Sequence, residues 1–339
     1  MHRAWGLLKV VGWLFLAIVF LLLIVVPVAT SLTLQFSGGL PTGSLKLLGH
    51  IETYQRLLMQ IFAALWFFVL GSCFASFLNV VAWRVPRGRS INGSSHCPHC
   101  DVKLGFRDNL PVVGWLRNQG KCRNCDAAIS SRYLWVEVFL GSVFLLLSLA
   151  TLYSGGATIP IYEAGSAWGF ERVLFDPKWD LIQIFAWQLV LVLFLFTFAL
   201  IELESKIIPP SIFVCGAIVG ALSPIVFPGL NLVDVKWPFA SQYPVDRFSL
   251  EQACYMLVGL ATGIGCGLFA SDKNDPPFVL FGLMLVGLFL GWQSTVVVTV
   301  LYSLLHRFVY KRRNGALLAA TILHLMTWRW FDLLTIAPN

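Results

Sequence analysis

Four of the chain's eight cysteines stand in two close pairs, Cys97 with Cys100 and Cys122 with Cys125. Thiols at Cys-x-x-Cys spacing either hold a metal or cycle as a redox dithiol. Twenty-one residues separate the pairs, just beyond the usual window for a zinc ribbon, and each pair can supply one knuckle of a tetrahedral site. His96 and His99 are spare donors that four thiolates make unnecessary. A four-thiolate site has no open position for a reacting water, so the expected Zn2+ is structural. The surrounding segment, 83–133, is too short to build a core of its own, and a metal supplies what packing cannot.

The elements that must position this segment are apolar. Of the 339 residues, 58% are hydrophobic and only 12% charged, with a mean hydropathy of +0.77. Apolar runs near 10–34, 57–82, 134–153, 182–202, 210–228, 253–270, 278–291, 294–310 and 315–335 predict about nine helices, most of them long enough to cross a bilayer. The first run follows Arg3 and Lys9, exceeds an ordinary signal-peptide core and has no clear cleavage site, so it reads as a retained anchor. The chain is thus expected to be an all-α polytopic membrane protein carrying a small zinc ribbon. With the cysteine segment inside, seventeen of the twenty-four Lys and Arg residues fall on that side. The positive-inside rule then makes the segment cytoplasmic, in a bacterial inner membrane by default. The net charge of +7 reflects this orientation, and no nucleic-acid partner is expected.

Three stretches surround the cysteines: "GSCFASFLNVVAWRVPRG" (Gly71–Gly88), "RDNLPVVGWLRNQGKCRNC" (Arg107–Cys125) and "ISSRYLWVE" (Ile129–Glu137). Together, over about 70 residues, they resemble the N-terminal half of the type IV prepilin peptidases. The resemblance implies an integral-membrane aspartic endopeptidase that removes the leader of prepilins or pseudopilins at the cytoplasmic face. It also implies a possible second activity, methylation of the new N-terminus with S-adenosylmethionine. Asp108, Asn109 and Arg132 are the positions it offers for that activity, although no glycine-rich cofactor loop accompanies them. Arg132 is also a candidate partner for the nearby Glu137.

Aspartic hydrolysis needs two carboxylates sharing a proton, one as base and one as acid. In "FALIELESKIIPPSIFVCGAIVGALSP" (Phe198–Pro224), Glu202 and Glu204 stand where the resembled family has aspartates. Successive residues rotate about 100° on a helix, so the two cannot face one site. Glu202 aligns with the first catalytic position, and Glu204 is the weaker candidate. A competing reading makes both interfacial carboxylates balanced by Lys206. The second catalytic aspartate is expected at 279, where this chain has Val279. Asp272 and Asp275 are the substitutes at hand, but Asp275 precedes Pro276 and Pro277 and also reads as a helix N-cap.

The sequence therefore predicts an extra N-terminal anchor and outer loop over 1–56 and a first core helix at 57–82. A cytoplasmic zinc ribbon at 83–133 and a peptidase-like membrane core at 134–339 follow. The expected partners are prepilin or pseudopilin substrates and the lipid bilayer. The alternative function is a catalytically inactive pseudo-peptidase that binds pilin-like helices or assists pilus or secretion assembly. "GLATGIGCG" (Gly259–Gly267) is read as a small-residue stripe for close helix contact.

Overall fold

The computed structural model describes residues 44–160, 173, 177–204, 208–227, 230, 250–271, 278–308 and 313–331. The anchor expected at 10–34 lies outside them. The described residues form helices α1 (Ser44–Arg84), α2 (Val113–Arg117), α3 (Arg132–Ser148), α4 (Trp179–Glu204), α5 (Pro210–Val226), α6 (Leu250–Ala270), α7 (Phe278–Phe308) and α8 (Arg313–Phe331). No strand occurs among them, only two isolated bridges in the cysteine segment. Helix is what apolar sequence of this kind requires, because in lipid every backbone N–H and C=O must be paired within its own segment.

All eight helices expected from residue 57 onward fall on helical segments, with one difference. The runs expected at 278–291 and 294–310 form one element, α7, interrupted at Gly291. Among the described residues, four helices have the length and hydropathy of a membrane span. Leu58–Arg87, Arg132–Tyr153, Trp179–Glu204 and Phe278–Phe308 are long and apolar enough to cross, while Pro210–Pro224 and Cys254–Ala270 are shorter apolar helices.

These residues divide into two compact units. The first comprises 44–77 and 92–149, the second 78–91, 150–160 and the residues from 178 onward. In the first unit, α1 and α3 approach at glycines. A Cβ on Gly71 would lie 2.7 Å from the Leu140 carbonyl oxygen, and one on Gly141 would lie 2.7 Å from that of Phe68. Ser72 spans the contact, its hydroxyl donating to the Glu137 carbonyl at 3.1 Å, and Phe74 packs against Phe144 with ring centroids 5.7 Å apart.

The second unit is built on the expected glycine stripe. Gly259 faces Gly287, Gly263 faces Leu283 and Gly267 faces Leu280, so α6 and α7 run antiparallel with their backbones in contact. At Gly291, φ is 81° and ψ is 178°, a conformation nearly restricted to glycine. Such a residue cannot continue a helical ladder. Donors from two other helices meet the carbonyls just before it: Trp187 Nε1 of α4 donates to Phe289 O at 3.0 Å, and the Tyr255 hydroxyl of α6 reaches Leu290 O at 3.5 Å. Trp187 also stacks on Phe289 at 4.1 Å. A second irregularity follows α3, where Leu149–Tyr153 widens to a π-turn. There the Thr151 hydroxyl donates to buried Gln188 Oε1 at 3.0 Å.

Candidate functional site

The cysteine segment folds as two matching knuckles. In the first, Cys97 N–H donates to Val102 O and Asp101 N–H to Cys97 O; in the second, Cys122 N–H donates to Ala127 O and Asp126 N–H to Cys122 O. Each pair is followed by an aspartate with positive φ, 54° at Asp101 and 55° at Asp126. Asp tolerates that region better than most residues, because its short polar side chain bonds locally. The repeated Cys-x-x-Cys-Asp was a visible signal for these two positions, which the cysteine spacing alone did not single out.

The knuckles bring all four sulfurs within 4.8 Å of one another. Cys97 Sγ lies 3.8 Å from Cys125 Sγ, and Cys100 Sγ lies 3.9 Å from Cys122 Sγ. Zinc–sulfur bonds of about 2.3 Å in a tetrahedron put sulfurs about 3.8 Å apart, so the donor set and its dimensions fit a four-thiolate metal site. Neither His96 nor His99 belongs to the group. Electrostatics within the cluster is uneven. The Val102 N–H and then the Asn124 amide stabilise the Cys100 thiolate, lowering its pKa to about 7. At Cys125 the Ala127 N–H acts downward, but desolvation and the neighbouring sulfurs push the thiol up to about 12.

The linker between the knuckles is tied by Asp108. Its Oδ1 accepts from Asn118 Nδ2 at 3.0 Å, and its Oδ2 accepts from Gly105 N–H at 3.3 Å. Asn109 is exposed and its N–H is shared between Gly105 O and Phe106 O. Arg132 opens α3, its N–H on the Ser130 hydroxyl at 3.3 Å. A carboxylate bonded to both ends of its own loop acts as a loop tie. Glu137 takes a partner the sequence did not suggest: its Oε2 accepts the Val112 N–H of the linker at 2.7 Å, with the Ser76 side chain also bonded to it.

Glu202 and Glu204 end α4 and turn to different neighbours. Glu202 Oε1 accepts from Arg313 N–H at 3.2 Å, and its Oε2 accepts from Asn314 N–H at 3.0 Å. Those N–H groups belong to the first turn of α8 and have no partner within the helix. Glu204 faces Arg87, with 3.8 Å between Oε2 and Nη2. Arg87 also donates to Trp83 O at 2.7 Å and lies over the Trp83 ring. Val279, in the first turn of α7, is 1% exposed. Asp272 and Asp275 lie outside the described residues.

Fold and site together define a helical membrane protein with a four-thiolate module inserted between two of its apolar helices. The family model described as the bacterial peptidase A24 N-terminal domain matches residues 69–151, a span that contains all four cysteines, Asp108 and Glu137. The chain is 40% identical over 106 residues to a type 4 prepilin-like proteins leader peptide-processing enzyme of Escherichia coli, covering 26% of this chain and 39% of that one. It is 37% identical over 158 residues to a prepilin leader peptidase/N-methyltransferase of Myxococcus xanthus, covering 46% and 39% respectively. An Aeromonas hydrophila protein of the same name is 28% identical over 215 residues, 63% of this chain and 60% of its own. Over residues 69–151 the chain is thus similar to the N-terminal domain of the bacterial A24 peptidases. The matched stretches span about two fifths of the first two relatives' length and three fifths of the third's. No solved structure matches the chain significantly.

Proposed function

We propose that the protein acts on prepilins or pseudopilins as a leader peptidase of the cytoplasmic membrane face, with the four cysteines holding a structural Zn2+. The observation that carries the proposal is the A24 N-terminal match over 69–151, coincident with a four-thiolate cluster of zinc dimensions. The clustering of positive charge supports a bacterial inner membrane with the zinc module cytoplasmic. In this reading Glu202 is the first catalytic carboxylate and Asp275 or Asp272 supplies the second. The ionised group takes a proton from water while the protonated group polarises the scissile carbonyl. Methylation of the new N-terminus is the second activity carried by the family names.

Two observations favour a second reading, a pseudo-peptidase that binds pilin-like helices without cutting them. Position 279 holds a buried valine, and Glu202 is engaged by backbone donors of α8. Cleavage decides between the two. The purified protein is reconstituted in bilayers with a prepilin-type substrate from the same genome, beside a Glu202→Gln control and an active relative. Loss of a leader-sized mass that disappears in the control supports the peptidase. A substrate left intact, while the relative cuts it, supports the binding reading.

A further inference from the structure

Glu137 lies in α3, 7% exposed, on the face that meets α1. Its partners come from two directions. Ser76 belongs to α1 and is bonded to it through its side chain. Val112 belongs to the linker between the cysteine pairs and donates its backbone N–H at 2.7 Å. A carboxylate this buried is costly to leave without donors, so the contact has a strong preference for being made.

Val112 is held in an unusual state to make it. Its φ is 63° and its ψ is −55°, a conformation that is an outlier for a β-branched residue. Strain of this kind, about 1–3 kcal/mol, persists only where the surroundings enforce it. On one side the enforcing group is Glu137. On the other are the tight bonds of the loop, Val113 N–H to Pro111 O at 2.6 Å and Gly114 N–H to Leu110 O at 2.8 Å.

The chain from Val112 to the sulfurs is short and continuously bonded. Val112 leads into α2, whose Trp115 donates from Nε1 to Ile129 O at 3.2 Å and lies against Gly120. Gly120 N–H bonds Trp115 O at 3.0 Å, and Ile129 N–H bonds Gly120 O at 2.7 Å. Cys122 follows two residues after Gly120. The second knuckle therefore frames the loop that presents Val112 to Glu137.

We propose that Glu137 is a latch coupling metal occupancy of the Cys97, Cys100, Cys122 and Cys125 cluster to the α1–α3 helix pair. With the metal bound, the second knuckle holds the loop so that the strained Val112 N–H meets the carboxylate. Without it the frame loosens, Val112 relaxes and the latch opens. The proposal rests on the metal reading of the cysteines and is independent of whether the protein cuts peptide bonds. Coupling of this kind is reciprocal: whatever factor the metal adds to latch closure, the latch adds to metal affinity.

The test uses the full chain in nanodiscs, as wild type, Glu137→Ala, Glu137→Gln and Ser76→Ala. Bound zinc is measured by elemental analysis, zinc affinity by chelator competition, and amide exchange in a peptide spanning 107–117 by mass spectrometry. Removing zinc from the wild type is expected to speed exchange in that peptide about 10-fold. Glu137→Ala should speed it similarly with zinc still bound, and weaken zinc binding at least about 5-fold, within the usual range of coupling factors. Glu137→Gln retains an acceptor oxygen and should fall between. Ser76→Ala, which removes one donor and little volume, should shift both readouts in the same direction by a smaller factor, and it serves where Glu137→Ala does not fold. Zinc-loaded variants with wild-type exchange and wild-type zinc affinity overturn the latch. A wild type that binds zinc but keeps its loop protected after zinc removal also overturns it. A wild type that binds less than half an equivalent of zinc overturns the metal reading first and the latch with it.

Discussion

The two oxygens of Glu202 are divided between adjacent N–H groups at the start of α8, Oε1 on Arg313 and Oε2 on Asn314. Asn314 is 2% exposed, so its N–H has little access to water as an alternative acceptor. The carboxylate proposed for the first catalytic position thus also joins two helices whose sequences are more than 100 residues apart.

Glu202→Ala should lower the stability of the protein by about 1–3 kcal/mol, the usual worth of hydrogen bonds to a charged group. Glu202→Gln keeps one acceptor and should cost less. Thermal unfolding in detergent gives the comparison. A glutamine variant that melts like the wild type but fails to cut identifies a reacting carboxylate; stability and cleavage falling together identify a cap.

Glu204 and Arg87 provide the contrast. They stand 3.8 Å apart with side chains 19% and 36% exposed, and exposed pairs contribute roughly 0–1 kcal/mol. Glu204→Ala should leave the melting temperature within about a degree of the wild type. A fall comparable to that of Glu202→Ala would show that this pair is more tightly coupled than its geometry indicates.

The metal-free cluster should alkylate in a fixed order. Cys100, lowered to about 7, carries a thiolate at neutral pH and should react first with iodoacetamide. Cys125, raised to about 12, should react last. The reactive species is the thiolate, so the rate at Cys100 rises as pH passes upward through about 7 and is lost below it. Any stability its lowered pKa gives the metal-free knuckle is complete above about 9 and lost as pH falls through about 7. Bound metal should protect all four sulfurs, and acid should release it, because protons compete for the ligands. Peptide mass spectrometry across a pH series checks both the order and the protection.

The α6–α7 contact should tolerate no added methyl group. A Cβ on Gly263 would come 2.5 Å from the Leu283 carbonyl oxygen, and a backbone atom cannot rotate away as a side-chain end can. Gly263→Ala should cost about 1–3 kcal/mol, the range for overpacking. Gly291→Ala should cost a similar amount through its positive φ. Gly265, with open space around it, is the control, and its alanine variant should melt close to the wild type.

Local pattern determined much of this protein. Apolar runs announced each long helix from residue 57 onward, though not the five-residue α2, because burying a backbone in lipid leaves helix as the available answer. Cys-x-x-Cys pairs announced the four-sulfur cluster, because two residues between thiols are what one knuckle requires. The stripe from Gly259 to Gly267 announced a close helix contact, and the boundary read near residue 291 coincides with the break in α7.

Tertiary structure decided the partners of the charged groups. Arg132 beside Glu137 in sequence suggested an ion pair, yet the carboxylate reaches back to Val112 and Ser76. Glu202 and Glu204, two residues apart, point to α8 and to Arg87. Periodicity and spacing describe only neighbours within a turn or two along the chain. The donors that meet a buried carboxylate come from wherever packing places an unpaired N–H, and only the assembled helices fix that position.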